Sequence, residues 1–345
     1  MIANQYQQQN IYYISFLQFI GPIFVVLGHT LNGVMLNGWY YDFSKIWIYT
    51  FHMPLFFFIA GYMLSYKSSI EKYGYKIFLK NKFSRLLIPY IVWNVLFFYP
   101  KIFFDNYIGD SVEISFDYIS KILITPRENI LGHTWFLFAL FIIFVFSPIL
   151  VSFLKRKKYN FIFIILTTSL FLYLYFNPVY TKVLAIDDLC KNLIFFWIGL
   201  ISGAIKGDTY LKIIKSKFTF FILLLFASIF TILKFSIYDN KVVTIILAFS
   251  VIYLLQSIPI FLKMRYNLIV KLASISFPIY ILHWPVMLFI RILLYQVFSV
   301  NIYFTIVSMA IGGYFIPIFV IYYFKKSKNL FISVINKYLL GLKYH

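Results

Sequence analysis

Residues 15–30 read SFLQFIGPIFVVLGHT. The run carries no formal charge, and its apolar stretch extends from about residue 12 to 35. A helix that crosses a hydrocarbon core takes about 20 such residues. The stretch therefore predicts a membrane span rather than a buried helix of a soluble domain. Near its end stands His29. An ionisable side chain at membrane depth costs free energy to insert and is a functional hypothesis by default.

Outward from this segment the same pattern repeats. Apolar runs near 12–35, 45–66, 86–104, 134–154, 159–177, 191–205, 218–236, 242–262, 272–295 and 302–324 give ten candidate spans, of which the sixth is short. Hydrophobic residues make up 62% of the 345-residue chain and charged residues 12%, where a soluble domain has about a quarter charged. The expected fold is an all-α integral membrane protein of about ten transmembrane helices. It forms a single transmembrane domain over residues 1–345 with no appended soluble domain. Gly199, Gly203 and Gly207, four residues apart, predict close helix packing on the sixth span. No internal repeat is evident, which weighs against a transporter built from two halves.

Charge placement orients the spans. With the N-terminus inside, segments 67–85, 155–158, 206–217, 263–271 and 325–345 are cytosolic. They hold more than two thirds of the 31 Lys and Arg, but only Glu71 and Asp208 of the 11 acids. The net charge of +20 thus falls on one face, which fixes both termini as cytosolic. Attraction to inner-leaflet lipids accounts for that charge, and a nucleic-acid partner is excluded. The first span lacks a basic n-region and a small-residue cleavage site, so it reads as a retained helix. Cys190 is the only cysteine, which excludes an internal disulfide. The longest polar loop, 105–132, lies outside and is a candidate cover for an outward-facing site.

Several polar side chains lie within the spans. Gln18 precedes His29 by eleven residues, almost three helical turns, so the two share one face about 16 Å apart. Pro22 frees the carbonyl of Gln18. Such a stripe suits a long, thin ligand entering from the cytosol. In the second span, which runs inward, His52 matches the depth of His29, with Pro54 and Gly61 beyond it. In the ninth, Ser276, Tyr280 and His283 share one face, and Arg291 follows. His133 opens the fourth span beside Trp135. No Asp or Glu lies deep in any span, so a catalytic histidine is oriented by hydroxyl, amide or backbone groups. The histidines lack zinc-type spacing, and no metal is expected. On the inner face, KIFLKNKFSRLLIPY (76–90) clusters Lys76, Lys80, Lys82 and Arg85 before the third span, a set of donors suited to phosphates or to inner-leaflet anchoring.

Four segments, in order, resemble the acyltransferase 3 family of integral-membrane acyltransferases. They are VVLGH, ending at His29; MPLFFFIAGY (53–62); KFSRLLIP, with Lys82, Arg85 and Pro89; and SFPIYILH, with Ser276, Tyr280 and His283. HTWFLFAL (133–140) is similar to a further family segment. The resemblance covers almost the whole chain. It implies O-acyl transfer, most often of acetyl, from cytosolic acetyl-CoA to a hydroxyl of a cell-surface or lipid-linked glycan, in the bacterial cytoplasmic membrane. His29, His52, Tyr280 and His283 would be catalytic, and Lys82, Arg85 and Gln18 would face the donor. His29 would act as general base or as a covalent acyl relay, and the sequence leaves both routes open. Two positions depart from the family: Gln18 stands where a basic residue is usual, Lys82 where Arg is frequent. Membrane transport of a small solute or an acyl group, and a non-catalytic subunit of an envelope-polysaccharide system, are the alternative readings.

Overall fold

A computed structural model of the chain describes residues 2–32, 38–98, 100, 116–155, 160–205, 208–236, 240–261, 265–327, 332, 335–336 and 338–340. Outside these residues lie most of the basic run after Lys155, residues 105–115 of the outer loop, the last part of the third span, and Gly207. In chain order the helices are α1 (Ile2–Asn32), α2 (Trp39–Lys67), α3 (Ser69–Tyr73), α4 (Tyr75–Lys82), α5 (Ile88–Leu96), α6 (Phe116–Ile124), α7 (Trp135–Lys155) and α8 (Asn160–Phe176). They continue as α9 (Ile186–Ala204), α10 (Asp208–Lys215), α11 (Lys217–Ser236), α12 (Lys241–Phe261), α13 (Tyr266–Ala273), α14 (Ser276–Arg291) and α15 (Ile302–Lys326). Among the described residues the regular structure is entirely helical.

Seven segments are long and apolar enough to cross a membrane: Tyr12–Leu31, Tyr41–Lys67, Gly132–Lys155, Lys217–Ser236, Lys241–Pro259, Ser276–Val297 and Ile302–Lys326. They coincide with the expected spans one, two, four, seven, eight, nine and ten. The fifth is the shorter apolar helix Phe161–Phe176. The sixth lies within α9, which opens on Asp187, Asp188 and Lys191, and these charges dilute its apolar run.

The chain packs as two compact units, residues 1–66 with 198–320 and residues 67–197 with 321–345. In the first unit α1 is the hub, packed against α12, α13 and α14. Its glycines admit α2: a Cβ on Gly21 would stand 2.8 Å from the Phe56 ring, and one on Gly28 3.2 Å from Ile48. On α9, a Cβ at Gly199 or Gly203 would overlap the backbone carbonyl of Phe58 or Tyr62. The glycine spacing is thus a backbone-to-backbone contact of α9 with α2, the small-residue packing that helices use in lipid. Val26, Met287 and Met309 form a buried cluster joining α1, α14 and α15, with Ile290 and Tyr314 against it. α11 packs on α12 and otherwise turns Phe218, Phe221, Leu225 and Ile232 outward.

In the second unit a π turn, Phe83–Leu87, joins α4 to α5. Pro89 follows two residues later, as the second residue of α5. It cannot donate to the carbonyl one turn back, which favours the wider i→i+5 bonding before it. Ahead of α7 the chain is held by a buried amide network. The Tyr90 hydroxyl donates to the Ile122 carbonyl, and Asn129 Nδ2 donates to that hydroxyl at 2.9 Å. Asn94 Nδ2 donates to the Tyr90 carbonyl at 2.8 Å and to Thr134 Oγ1 at 3.1 Å, and Asn94 Oδ1 accepts from the Leu131 N–H at 3.3 Å. Arg127 forks onto Asp188, with Nε 2.6 Å from Oδ2, and lies over the Trp135 ring at 4.4 Å. Asp188 is buried. Lys182 donates to Glu128 at 2.7 Å and holds that carboxyl below its usual pKa range, chiefly through this hydrogen bond. An apolar cavity of about 460 Å³ opens among α7, α8 and α9, lined by Ile142, Phe146, Phe171, Leu184 and Leu193.

Candidate active site

The first unit brings three of the sequence-selected histidines into one cluster. His29 sits three residues from the end of α1. It stands there because Gly28 lets α2 approach through Ile48 and Tyr49. The His29 ring centre lies 5.2 Å from that of His283 on α14 and 6.5 Å from that of Tyr49 on α2. Tyr49 in turn meets His52 edge-on at 4.7 Å. Tyr280 lies 5.9 Å from His283 and 6.1 Å from Phe56. His283 is fully buried, His52 and Tyr280 nearly so, and His29 keeps partial exposure.

The backbone fixes two of the imidazoles. His52 Nδ1 lies 2.9 Å from the Ile48 carbonyl, and His283 Nδ1 lies 2.6 Å from the Tyr280 carbonyl. A carbonyl oxygen only accepts, so both Nδ1 atoms carry the proton and donate. In the neutral ring the lone pair then resides on Nε2, the form that accepts a proton or polarises a hydroxyl. These bonds run back along each residue's own helix, one turn away. Orientation therefore comes without a carboxylate: α1 and α14 contain no acid, and α2 has only Asp42 near its start. A neutral, aromatic-walled cluster of imidazoles and phenols suits proton transfer from a hydroxyl and stabilisation of a developing oxyanion.

Gln18 lies on the same helix as His29 and is partly buried. Tyr49 was not singled out by the sequence; its signal was its place one turn before His52, hidden among 30 tyrosines. Lys82 and Arg85 belong to the second unit. Lys82 is half-buried, its ammonium 3.5 Å from the Phe144 ring centre and 5.3 Å from that of Phe78, a cation–π contact. Arg85, within the π turn, is exposed, as are Lys76 and Lys80. His133, also of the second unit, lies in the 3-10 turn Gly132–Thr134 that opens α7. Among the described residues no group of histidine, cysteine or carboxylate side chains is arranged to hold a metal ion.

Comparison with known proteins places this geometry in context. Over 133 residues the chain is 28% identical to nodulation protein NolL of Mesorhizobium japonicum, a stretch covering 37% of this chain and 33% of that relative. Over 149 residues it is 30% identical to nodulation protein NolL of Sinorhizobium fredii, covering 42% of this chain and 38% of the relative. The chain thus spans little more than a third of the length of these curated relatives. No solved structure matches it. The family model described as an acyltransferase domain matches residues 11–336, nearly the whole chain: the chain belongs to the acyltransferase 3 family.

Proposed function

We propose that the protein is a membrane O-acyltransferase. It moves an acyl group, acetyl by preference, from cytosolic acetyl-CoA to a hydroxyl of a cell-surface or lipid-linked glycan. The observation that carries this reading is the convergence of His29, His52, Tyr49, Tyr280 and His283 on helices whose one acid, Asp42, lies near the start of α2. In this reading the chain is one membrane domain with ten spans and both termini cytosolic, in the bacterial cytoplasmic membrane. The thioester enters along the α1 face that carries Gln18 and ends at His29. Lys82 and Arg85 serve the donor phosphates.

In direct transfer, His29 takes the proton of the acceptor hydroxyl, the oxygen attacks the thioester carbonyl, the new C–O bond forms, and the C–S bond breaks. The thiolate leaves and recovers a proton. His283, whose ring lies against His29, and Tyr280 steady the oxyanion. In the relay variant the His29 imidazole holds the acyl group before the hydroxyl attacks.

The test uses membrane vesicles whose cytosolic face is outward, supplied with acetyl-CoA labelled in the acetyl group. Label passes into the lipid-linked or glycan fraction with the unaltered protein and not with His29→Ala. Undiminished transfer by a stably inserted His29→Ala protein would refute this mechanism.

A further inference from the structure

At the far end of the first unit from the histidines is a second polar cluster, built on α2, α9, α10 and α12. Tyr62 is buried and lies 5.7 Å, ring to ring, from Tyr210, and it stacks on Tyr66 at 5.8 Å. Ser202 Oγ and the Tyr253 hydroxyl are 3.0 Å apart. At the centre is Gln256, with no exposed surface. Its Oε1 accepts from the Tyr210 hydroxyl at 2.7 Å, while its Nε2 finds no acceptor among the described residues. A buried amide left with two unused N–H donors is costly, and most such groups are paired by protein, water or ligand. The close approach of α9 to α2 through Gly199 and Gly203 brings Ser202 and Tyr62 to this place. The short helix α10 closes it from one side: Tyr210, Leu211 and Ile214 are buried, while Lys212 and Lys215 face out.

The cluster stands at a definite distance from the reacting end. Along α2, Tyr62 follows His52 by ten residues, about 15 Å at 1.5 Å per residue. In the proposed topology this is the cytosolic end of α2, α9 and α12. A ligand that reaches the histidines from the cytosol passes this level with its middle portion. The donor of the proposed reaction has a long, thin arm there, whose hydrogen-bonding groups are two amides and one hydroxyl, and the amide carbonyls are its strongest acceptors. An amide carbonyl is the acceptor that the Gln256 donors lack, and tyrosine faces suit the arm's apolar links.

We infer that Gln256 donates from Nε2 to an amide carbonyl of the pantetheine arm of acyl-CoA, making the Gln256 cluster the throat through which the donor is held. This rests on the acyltransferase reading of the histidine site. It assigns a binding residue outside every motif by which the family resemblance was drawn.

The test measures dissociation constants of the full-length protein in detergent for CoA and for its nucleotide half, adenosine 3′,5′-bisphosphate, which lacks the arm. Gln256→Met keeps the length and volume of the side chain and removes its donors. The expected result is about a tenfold weaker affinity for CoA, the size of one lost hydrogen bond, with unchanged affinity for the nucleotide half. Unchanged CoA affinity in Gln256→Met would overturn the inference and assign the amide to buried water. Should Gln256→Met fold poorly because Tyr210 loses its acceptor, Tyr210→Phe with Gln256→Met removes both partners of the buried pair and carries the same expectation. An unaltered protein that binds neither CoA nor its nucleotide half would instead defeat the acyl-CoA reading itself.

Discussion

The two units spend their polar groups in opposite ways. In the second, charge meets charge: Arg127 forks onto buried Asp188, Lys182 meets Glu128, and the Tyr90–Asn94–Asn129–Thr134 set closes on itself and on the backbone. In the first, helix carbonyls rather than carboxylates orient the clustered histidines, as Ile48 does His52 and Tyr280 does His283. A hydrogen-bonded ion pair fixes a loop but has little left to offer a substrate. An imidazole whose proton is committed to a carbonyl keeps a lone pair for chemistry. The comparison assigns scaffolding to the one network and reactivity to the other. It fails if substitutions in the two places have the same signature.

The largest expected effect is on turnover. His29→Ala should lower acyl transfer by about 1,000-fold, within the range for a lost general base, while thermal unfolding stays near that of the unaltered protein. A parallel loss of stability would make His29 a packing residue and erase the contrast. Next comes Gly203→Ala. The added methyl meets the Tyr62 carbonyl, which is backbone and cannot rotate away, so α2 and α9 must part. A cost of about 3 kcal/mol, the upper range for overpacking, is expected in denaturant unfolding. Because α2 also carries Tyr49 and His52, transfer should fall with it. Stability lost at constant transfer would show that the histidine cluster does not depend on this helix contact.

The spans were legible because a run of about 20 apolar residues has few alternative explanations. Seven of the ten expected spans are met; the end of the third lies outside the described residues, the fifth is short, and the sixth, in α9, follows Asp187, Asp188 and Lys191, residues that the structure uses in ion pairs. The histidines were legible for the same physical reason: ionisable groups are expensive in lipid, so His29, His52 and His283 stand out wherever they occur. Tyr280 was legible through its place on one helical face with Ser276 and His283, but Tyr49 was not: it is one of 30 tyrosines in a chain with 43 phenylalanines, and aromatic residues here carry little information singly. Pairings distant in sequence were out of reach. Gln256 meets Tyr210 across 46 residues and Arg127 meets Asp188 across 61. Lys82 was readable as a cation, but not its place over the Phe78 and Phe144 rings. Phe144, the nearer ring, could be placed only by the fold.

Two predictions probe the second unit from its two sides. If Lys82 and Arg85 serve the donor, a hundredfold excess of acetyl-CoA over its dissociation constant should stabilise the unaltered protein by about 2.7 kcal/mol, and Lys82→Ala with Arg85→Ala should abolish that gain. An undiminished shift would return this unit wholly to scaffolding. Asp188→Ala should cost about 2 kcal/mol in stability, as a lost charge-assisted bidentate bond does, since it strips the partner from a half-exposed Arg127. Transfer per folded molecule should persist, and its loss would move Arg127 and Asp188 into the reactive machinery.

The smallest effect is expected at Glu128 and Lys182, an exposed pair of the kind that contributes little. Its use is in the sign of its pH dependence. Lys182 lowers the folded-state pKa of Glu128. A carboxyl with a depressed pKa stabilises the fold above its unfolded pKa, about 4.3 for Glu, and loses that contribution as pH falls through the folded value. The small melting-temperature deficit of Lys182→Ala at neutral pH should therefore shrink below about pH 4.3 and vanish in acid. A deficit that survives acidification would mean that Lys182 supports the Val183–Ala185 turn through its aliphatic stem rather than through its charge, and the second unit would then owe less to ion pairing than its geometry implies.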